Sequence, residues 1–216
     1  MIITGFGVVL IRLQQQDIEL VRQHRNSEAI SKFMESRKEI TKEEQEKWFA
    51  SIDNKFNNYF VIVYKGEKIG LIYGADIDWE KKETGNGGIF IWNESLLETH
   101  APLAASMLLT EVSFLLGMER TYIKVLRDNP RAIAYNENLG YEILPGQEKV
   151  INQKYVLTKE NYYAKAARFR KTFVRMFGEN FNMVLDHASH EAEINIREMY
   201  SKTSDENKAR LILEGK

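Results

Sequence analysis

Residues 122–144 constrain the fold more than any other part of the sequence. A short apolar strand at residues 122–126 is followed by Asn129-Pro130, which predicts a helix start with Asn as the cap and Pro in the first turn. Gly140 predicts the end of that helix, and residues 141–144 are typical of a further strand. The segment therefore predicts a helix that connects two strands of a sheet.

The remaining sequence up to residue 158 alternates between strand and helix patterns. Strands are predicted at residues 7–13, 59–64, 68–73, 88–92 and 150–157, and helices at residues 17–25, from 41 onward and at 102–117. Asp17 is expected to cap the first helix, and Thr41 and Glu44 have the spacing of a capping box. The predicted class is α/β (α+β mixed), with a mixed twisted sheet flanked by helices.

Residues 159–216 have a different pattern. Apolar side chains at alternating steps of four and three predict one helix, which would pack against the sheet domain or form a homodimer through C-terminal helices: Tyr162, Ala166, Phe169, Phe173 and Met176. A second, more polar helix is expected at residues 181–200, and residues 201–216 are polar enough for a loose tail. We therefore expect a domain at residues 1–158 and a helical extension with a tail at 159–216.

Composition excludes several classes of function. The net charge of -1 gives no indication of nucleic acid or membrane as a partner, and the apolar N-terminus stops at Arg12, short of the roughly 20 residues of a membrane helix. The absence of cysteine excludes disulfides and a cysteine nucleophile and favours a cytoplasmic protein. His187 and His190 have a spacing that can bind a metal on a helix, but they lack a firm third ligand. No metal is therefore expected.

The central segment resembles the C-terminal half of a GNAT superfamily N-acetyltransferase. Asn129, Ala132 and Tyr135, followed by Leu139-Gly140-Tyr141, stand at the positions of the family pattern, and the resemblance covers about residues 8–157. It implies a GNAT fold of about seven strands, acetyl-CoA as co-substrate, and a Tyr135 hydroxyl that protonates the departing CoA thiolate. The alternative is a tyrosine that only packs the helix on the sheet.

The phosphate loop departs from the family. The family pattern Gln/Arg-x-x-Gly-x-Gly/Ala aligns with residues 99–104, where only Ala104 conforms and Pro102 lacks an N–H. Nearby amides and the His100 side chain remain as phosphate donors, and the resemblance implies an oxyanion-binding amide near Ile91 or Trp92. The residues expected to bind acetyl-CoA are Ile91, Trp92, His100, Leu103, Ala104, Ala105, Asn129, Ala132 and Tyr135.

The N-terminal half is similar to two GNAT branches, the ribosomal-protein N-terminal acetyltransferases and the nucleotide-linked 4-amino-sugar N-acetyltransferases. The Arg25-Asn26 pair with a following Met34 favours the amino-sugar branch. Arg25 suits a diphosphate, although a surface arginine tied to a glutamate is the alternative. His24 or Glu35 is expected to take the proton of the attacking amine, unless both are simply solvated. The substrate site is predicted at Arg25, Asn26, Met34 and Tyr73.

The predicted function is transfer of an acetyl group to the primary amine of a small molecule, a nucleotide-linked amino sugar, by direct attack on the thioester. One alternative is a protein N-terminal or small-amine acetyltransferase. The other is a GNAT-fold binding module that has lost catalysis, which the altered phosphate loop at Pro102 favours and the presence of Tyr135 opposes.

Overall fold

A computed structural model describes residues 1–34, 37–186 and 190–214 of the chain. Ten strands form one sheet within these residues: β1 Ile2–Gly5, β2 Val8–Arg12, β3 Asn58–Tyr64, β4 Glu67–Asp78, β5 Glu83–Ile91, β6 Arg120–Leu126, β7 Glu142–Ile143, β8 Asn152–Thr158, β9 Phe181–Val184 and β10 Leu211–Glu214. The same residues form nine α-helices: α1 Ile18–Asn26, α2 Glu28–Ser31, α3 Lys42–Ile52, α4 Ala101–Leu115, α5 Pro130–Leu139, α6 Lys159–Lys165, α7 Ala167–Phe177, α8 His190–Lys202 and α9 Asp205–Arg210. The mixed α/β class predicted from the sequence is confirmed.

The strand order across the sheet is β10-β9-β1-β2-β3-β4-β5-β6-β8-β7. All neighbouring strands are antiparallel except the pairs β5–β6 and β9–β10. The N-terminal strand pattern is a hairpin of two strands, β1 and β2, because Phe6 and Gly7 turn the chain with φ values of 50° and 77°. This hairpin, together with β9 and β10, brings the sheet to ten strands instead of about seven.

Helices cover both faces of the sheet. On one face α4 is buried around most of its circumference and packs on β1 and β2, and its apolar cluster includes Leu10, Phe60, Ile72, Ala104 and Leu108. On the other face α1 and α3 pack against a smaller cluster of Leu13, Ile18, Val21, Val61 and Leu71. Because strand side chains alternate between faces, β3, β4 and β5 contribute to both clusters.

The two predicted N-terminal helix starts have different outcomes. The capping box is confirmed: Thr41 Oγ1 accepts from the Glu44 amide at 3.1 Å, and Glu44 Oε2 accepts from the Thr41 amide at 2.9 Å. Asp17 as a side-chain cap is wrong, since its side chain makes no capping hydrogen bond. The buried Asp17 carboxylate instead pairs with Lys68 on β4 and joins the start of α1 to the sheet.

The C-terminal extension follows the prediction for its first part only. The single predicted helix is wrong, since the chain forms two helices, α6 and α7, with Ala166 between them. Tyr162, Ala166 and Phe173 are buried as predicted, whereas Met176 is 58% exposed. The helix predicted at residues 181–200 begins only at His190, because Phe181 to Val184 form β9 on the edge of β1. The loose tail is also wrong, since α9 and β10 occupy residues 205–214 and β10 pairs with β9.

The fully buried Glu111 on α4 attaches the extension to the rest of the chain. Its carboxylate accepts hydrogen bonds from the hydroxyls of Tyr162 at 3.1 Å and Tyr163 at 3.2 Å. Arg170 Nε and Arg210 Nη2 each donate to it at 2.7 Å. Four side chains from α6, α7 and α9 therefore converge on one charge. The domain boundary at residue 158 and a homodimer through C-terminal helices stay predictions.

Among the described residues, no helix has the length and apolar character needed to cross a membrane. The same part of the chain contains no group of three or more histidine, aspartate or glutamate residues placed to hold a metal ion. Of the two histidines with metal-binding spacing, His187 lies outside the described residues, and His190 is the first residue of α8.

Candidate active site

A split in the middle of the sheet separates β5 from β6. These parallel strands pair only through Glu83–Arg120 and Thr84–Thr121. Beyond these pairs β5 follows β4 up to Ile91, and β6 follows β8 up to Leu126. The facing edges of β5 and β6 diverge, and they leave an opening in the sheet between α4 and α5.

The edge of β5 presents backbone groups to this split. The Trp92 amide donates to the Ile69 carbonyl at 2.9 Å and is therefore directed toward β4. Because peptide groups alternate in direction along a strand, those of Ile91 and Ile89 face the split. Of the two amides predicted to bind the oxyanion, Ile91 is available and Trp92 is already engaged.

Glycines keep the narrow end of the split free of β5 side chains. A Cβ atom on Gly88 would lie 2.7 Å from the Tyr73 hydroxyl, so the Tyr73 ring occupies the space next to this glycine. A Cβ on Gly87 would lie 3.4 Å from Ile123 on β6. Larger residues at these positions would displace Tyr73 or close the split.

Tyr135 on α5 lies on the α4 side of the split. Its hydroxyl oxygen is 2.8 Å from Ser106 Oγ and 3.0 Å from the Pro102 carbonyl oxygen. Burial raises the pKa of the Tyr135 phenol, which is therefore protonated at neutral pH. Ser106 was not identified from the sequence, where its only signal is a small polar residue in an apolar helix. It shares a cavity wall with Gly87.

The start of α5 matches the prediction. Asn129 Oδ1 accepts from the Ala132 amide at 3.1 Å and leaves its own NH₂ group outside this bond. Ala132 is half-buried and packs against the α4-side cluster. Gly140, with φ of 102°, ends the helix. These contacts explain why the Asn-Pro start and the Gly end could be identified from sequence.

Few amides are free at the N-terminus of α4. The Ala104 amide donates to the His100 carbonyl at 2.8 Å, and the Ala101 amide donates to Thr99 Oγ1 at 3.3 Å. Pro102 has no N–H, and in the described part of the chain the Leu103 amide has no acceptor. Ala105 lies one residue further into the helix. Leu103 is therefore the free amide among the predicted phosphate donors.

The His100 side chain points to a different environment from the one predicted. Its ring contacts Tyr64, Phe173 and Phe177, with centroid distances of 5.3, 6.1 and 5.8 Å. Two of these partners belong to α7. The imidazole thus helps to pack the C-terminal extension against the start of α4.

An arginine that the sequence analysis missed lies between the starts of α4 and α5. Arg131 Nη2 is 2.7 Å from Glu98 Oε1 and 3.4 Å from the Leu97 carbonyl oxygen. Both charged side chains are exposed. Arg131 follows Asn129-Pro130, and its place in the first turn of α5 was the available signal.

The α1 face of the split carries an aromatic cluster with two basic residues. The rings of His24 and Trp92 stack at 4.7 Å with an interplanar angle of 2°. Tyr59 and Tyr73 stack at 4.7 Å with an angle of 12°. The Arg25 guanidinium lies 5.6 Å from the centre of the Trp48 ring, and Trp48 meets Tyr59 edge-on. Arg25 and His24 therefore lie in an aromatic surface, whose members Trp48 and Tyr59 had not been identified as site residues.

Burial controls the charge states of this surface. Desolvation lowers the pKa of His24 below its usual value, so the imidazole is neutral at pH 7. Desolvation also lowers the pKa of Arg25, but a guanidinium stays protonated. Within the described residues, Arg25 has no hydrogen bond and no carboxylate partner. The alternative was a surface arginine tied to a glutamate, and that part of the chain contains no glutamate paired with Arg25.

The family model described as an acetyltransferase (GNAT) domain matches residues 8–142. The chain belongs to the GNAT acetyltransferase family. No curated protein sequence matches it. It is an N-acetyltransferase of the class that uses acetyl-CoA.

Solved structures similar to this GNAT share its fold at low sequence identity. FdhC, described as a nucleotide-linked sugar GNAT, has 19% identity and a TM-score of 0.64 over 79% of this chain and 97% of its own. The spermidine N-acetyltransferase of Vibrio cholerae, solved with CoA and spermine, has 20% identity and a TM-score of 0.62 over 72% and 98%. A domain from Methanocaldococcus jannaschii has 20% identity and a TM-score of 0.61 over 70% and 97%.

The remaining acceptor-side residues of this GNAT differ in their availability. Asn26 is committed on both sides of its amide group, which donates to the Ile40 carbonyl and accepts from the Ile40 amide, both at 2.9 Å. It therefore ties the end of α1 to Ile40 and leaves one N–H of its amide group for a ligand. Met34 is half-buried just after α2, and Glu35 lies outside the described residues.

Proposed function

We propose that this GNAT acetylates the primary amine of a nucleotide-linked amino sugar. Arg25 is the observation that carries the proposal. Its guanidinium lies against the Trp48 ring, close to the stacked pair Tyr59 and Tyr73, and has no carboxylate partner in the described chain. A partly desolvated guanidinium without an internal counter-charge favours an anionic ligand, and its planar donors match phosphate oxygens.

The positive charge of Arg25 on the acceptor side argues against a polyamine as the acceptor substrate. Spermidine carries several positive charges, and an unpaired Arg25 would repel them. The neighbouring aromatic rings of Tyr59, Tyr73 and Trp48 offer flat apolar surfaces for a base or a sugar face. The similarity to FdhC is compatible with this proposal, although at 19% identity it supports the fold alone.

Acetyl-CoA fits the split between β5 and β6. The outward carbonyl of Ile91 can accept from an amide of a pantetheine arm that reaches the split from the start of α4. The free Leu103 amide and the dipole of α4 favour phosphate at the helix start. Arg131 lies beside this helix start, and it would offset part of the loss caused by Pro102 if a phosphate replaced Glu98 as its partner.

The chemistry needs no protein nucleophile, because acetyl-CoA supplies an activated thioester carbonyl. We assign removal of the amine proton to His24, which is neutral and stacks on Trp92, the residue after Ile91. The Ile91 amide would stabilise the developing oxyanion. The protonated Tyr135 would give its proton to the sulfur, and Ser106 would hold the phenol in place.

The two alternatives make different demands on the molecule. A protein N-terminal or small-amine acetyltransferase needs no anion-binding group beside the amine, so Arg25 would be irrelevant to it. A binding module without catalysis needs neither a neutral His24 nor a protonated Tyr135. A cytoplasmic location and a homodimer through C-terminal helices remain part of the proposal on sequence grounds.

The test begins with ligand binding. A thermal-shift titration with acetyl-CoA should raise the melting temperature, because the ligand binds only the native state. No shift at millimolar acetyl-CoA would favour the binding-module alternative.

Turnover with a nucleoside-diphosphate-linked 4-amino sugar should then exceed turnover with spermidine. Arg25→Gln should raise the KM for the sugar nucleotide about ten- to a hundredfold, as expected from a lost charged hydrogen bond. Arg175→Gln, which changes an exposed cation on α7, should leave KM unchanged. Equal KM values for wild type and Arg25→Gln would contradict the anionic acceptor.

A further inference from the structure

A cavity of about 110 Å³ lies between the sheet and α4. Its wall includes Gly87, Gly88 and Ile89, which border the split. It also includes Ile196 and Met199 on α8. Protein interiors are close-packed and contain few voids larger than a water molecule, so an opening of this size beside an active site requires an explanation.

The wall of this cavity is suited to an apolar occupant. The sheet contributes Ile72 and α8 contributes Ile196 and Met199, a flexible side chain that adapts to ligands. Two serines on the wall are already satisfied: Ser113 donates to the Leu109 carbonyl at 2.8 Å, and Ser106 binds Tyr135. The lining also includes polar side chains such as Thr110 and Asn136, but most of its surface is apolar, and apolar cavities of roughly 150 Å³ take up a molecule as large as benzene.

The cavity begins where the acyl group of the donor would end. Ile91, assigned above to the thioester carbonyl, is two residues from Ile89, about 7 Å along the strand. Ile89 lines the cavity, and an acyl chain that extends from the carbonyl toward the narrow end of the split would enter beside it. An acetyl group is too short to fill this space.

We propose that the cavity is an acyl-chain pocket and that this GNAT also uses acyl-CoA donors of about four to six carbons. The inference rests on the proposed binding of acetyl-CoA in the split. The transfer is the same reaction: the acceptor nitrogen bonds to the acyl carbon, the carbon–sulfur bond breaks and its electron pair leaves with sulfur. His24 takes the amine proton, and the sulfur is protonated by Tyr135.

Isothermal titration calorimetry with acetyl-CoA and butyryl-CoA tests the pocket without any acceptor. Each buried methylene contributes a factor of about four, or about 0.8 kcal/mol, so butyryl-CoA, which has two more methylenes, should bind about fifteenfold more tightly than acetyl-CoA. Two substitutions that fill the pocket from different helices, Thr110→Leu on α4 and Ile196→Phe on α8, should reduce this preference to less than threefold. Their affinity for acetyl-CoA should stay within about twofold of wild type.

Thr172→Leu makes the same replacement as Thr110→Leu, but on the exposed side of α7, and should keep the wild-type preference for butyryl-CoA. If one filling variant fails to fold, as judged by its melting curve, the other decides. Equal affinities for the two donors in wild type would overturn the pocket, and so would a preference unchanged by filling. Absence of acetyl-CoA binding would overturn the proposed function as well, whereas binding of acetyl-CoA without preference would overturn the pocket alone.

Discussion

Glu111→Gln should strongly destabilise the protein while changing only one charge. The carboxylate is fully buried, and it faces Arg170 and Arg210, whose side chains are 24% and 16% exposed. Gln keeps one acceptor oxygen but removes the counter-charge of two largely buried guanidinium groups. Breaking a buried ion pair from one side costs about 3–5 kcal/mol, and because one acceptor remains we expect a loss of about 3 kcal/mol in unfolding free energy.

The change in melting temperature gives the measurement. For a chain of this size, 1 kcal/mol corresponds to about 2–4 °C, so Glu111→Gln should melt about 6–12 °C below wild type. Circular dichroism at 222 nm follows the transition. Glu198→Gln, which breaks an exposed pair with Lys202 on α8, is the matched control and should show no resolvable shift. A Glu111→Gln shift as small as that of the control would refute the anchoring role of Glu111.

Three further predictions concern catalysis and local stability. Tyr135→Phe should lower kcat about a hundredfold or more and leave the Kd for acetyl-CoA within about twofold of wild type. An unchanged kcat would show that Tyr135 is not the acid that protonates the thiolate. Because desolvation lowers the pKa of His24, the acid limb of kcat/KM should have a midpoint below the usual pKa of histidine, where the imidazole becomes protonated. His24→Gln should abolish that acid limb, and a limb that persists in the variant would assign it to another group. Thr41→Ala should remove the α3 cap and reduce the unfolding free energy by about 1 kcal/mol in urea titrations. Ser51→Ala, at the exposed end of α3, is the control. Equal urea midpoints for the two variants would contradict the stabilising role of the capping box.

The parts of the fold that could be predicted from sequence have local causes. The Asn129 cap, the Gly140 terminus and the Thr41–Glu44 box are formed by residues within four positions of each other. The continuous apolar runs in β3 and β4 reflect burial of both faces of one hairpin. Such features leave a signal in a short window of sequence.

The errors concern long-range contacts. Asp17 has the residue type of a cap, but Lys68 on β4 provides a stronger partner from 51 positions away. Phe181 and Met183 alternate with exposed residues, a strand pattern that surrounding polar residues concealed. Their strand forms only because the edge of β1 accepts it, and β10 forms because β9 is already there.

Individual residues of the site could be predicted from the sequence, but most of the contacts between them could not. Tyr135 and Arg25 were identified from their sequence context, whereas the partners that give them their properties, Ser106 and Trp48, belong to other elements. Asn26 shows the opposite case. Its side chain looked available in sequence and is committed to the loop that it stabilises.

The most direct test of the proposed function compares acetyl transfer by wild type with acetyl transfer by Arg25→Gln. Mass spectrometry would follow transfer from acetyl-CoA to a nucleoside-diphosphate-linked 4-amino sugar and, in parallel, to spermidine. We expect N-acetylation of the sugar nucleotide by wild type, a ten- to hundredfold loss of kcat/KM in Arg25→Gln, and little product from spermidine. The proposed function would be contradicted if spermidine were acetylated efficiently, with or without Arg25→Gln, and no acetylated sugar nucleotide were formed.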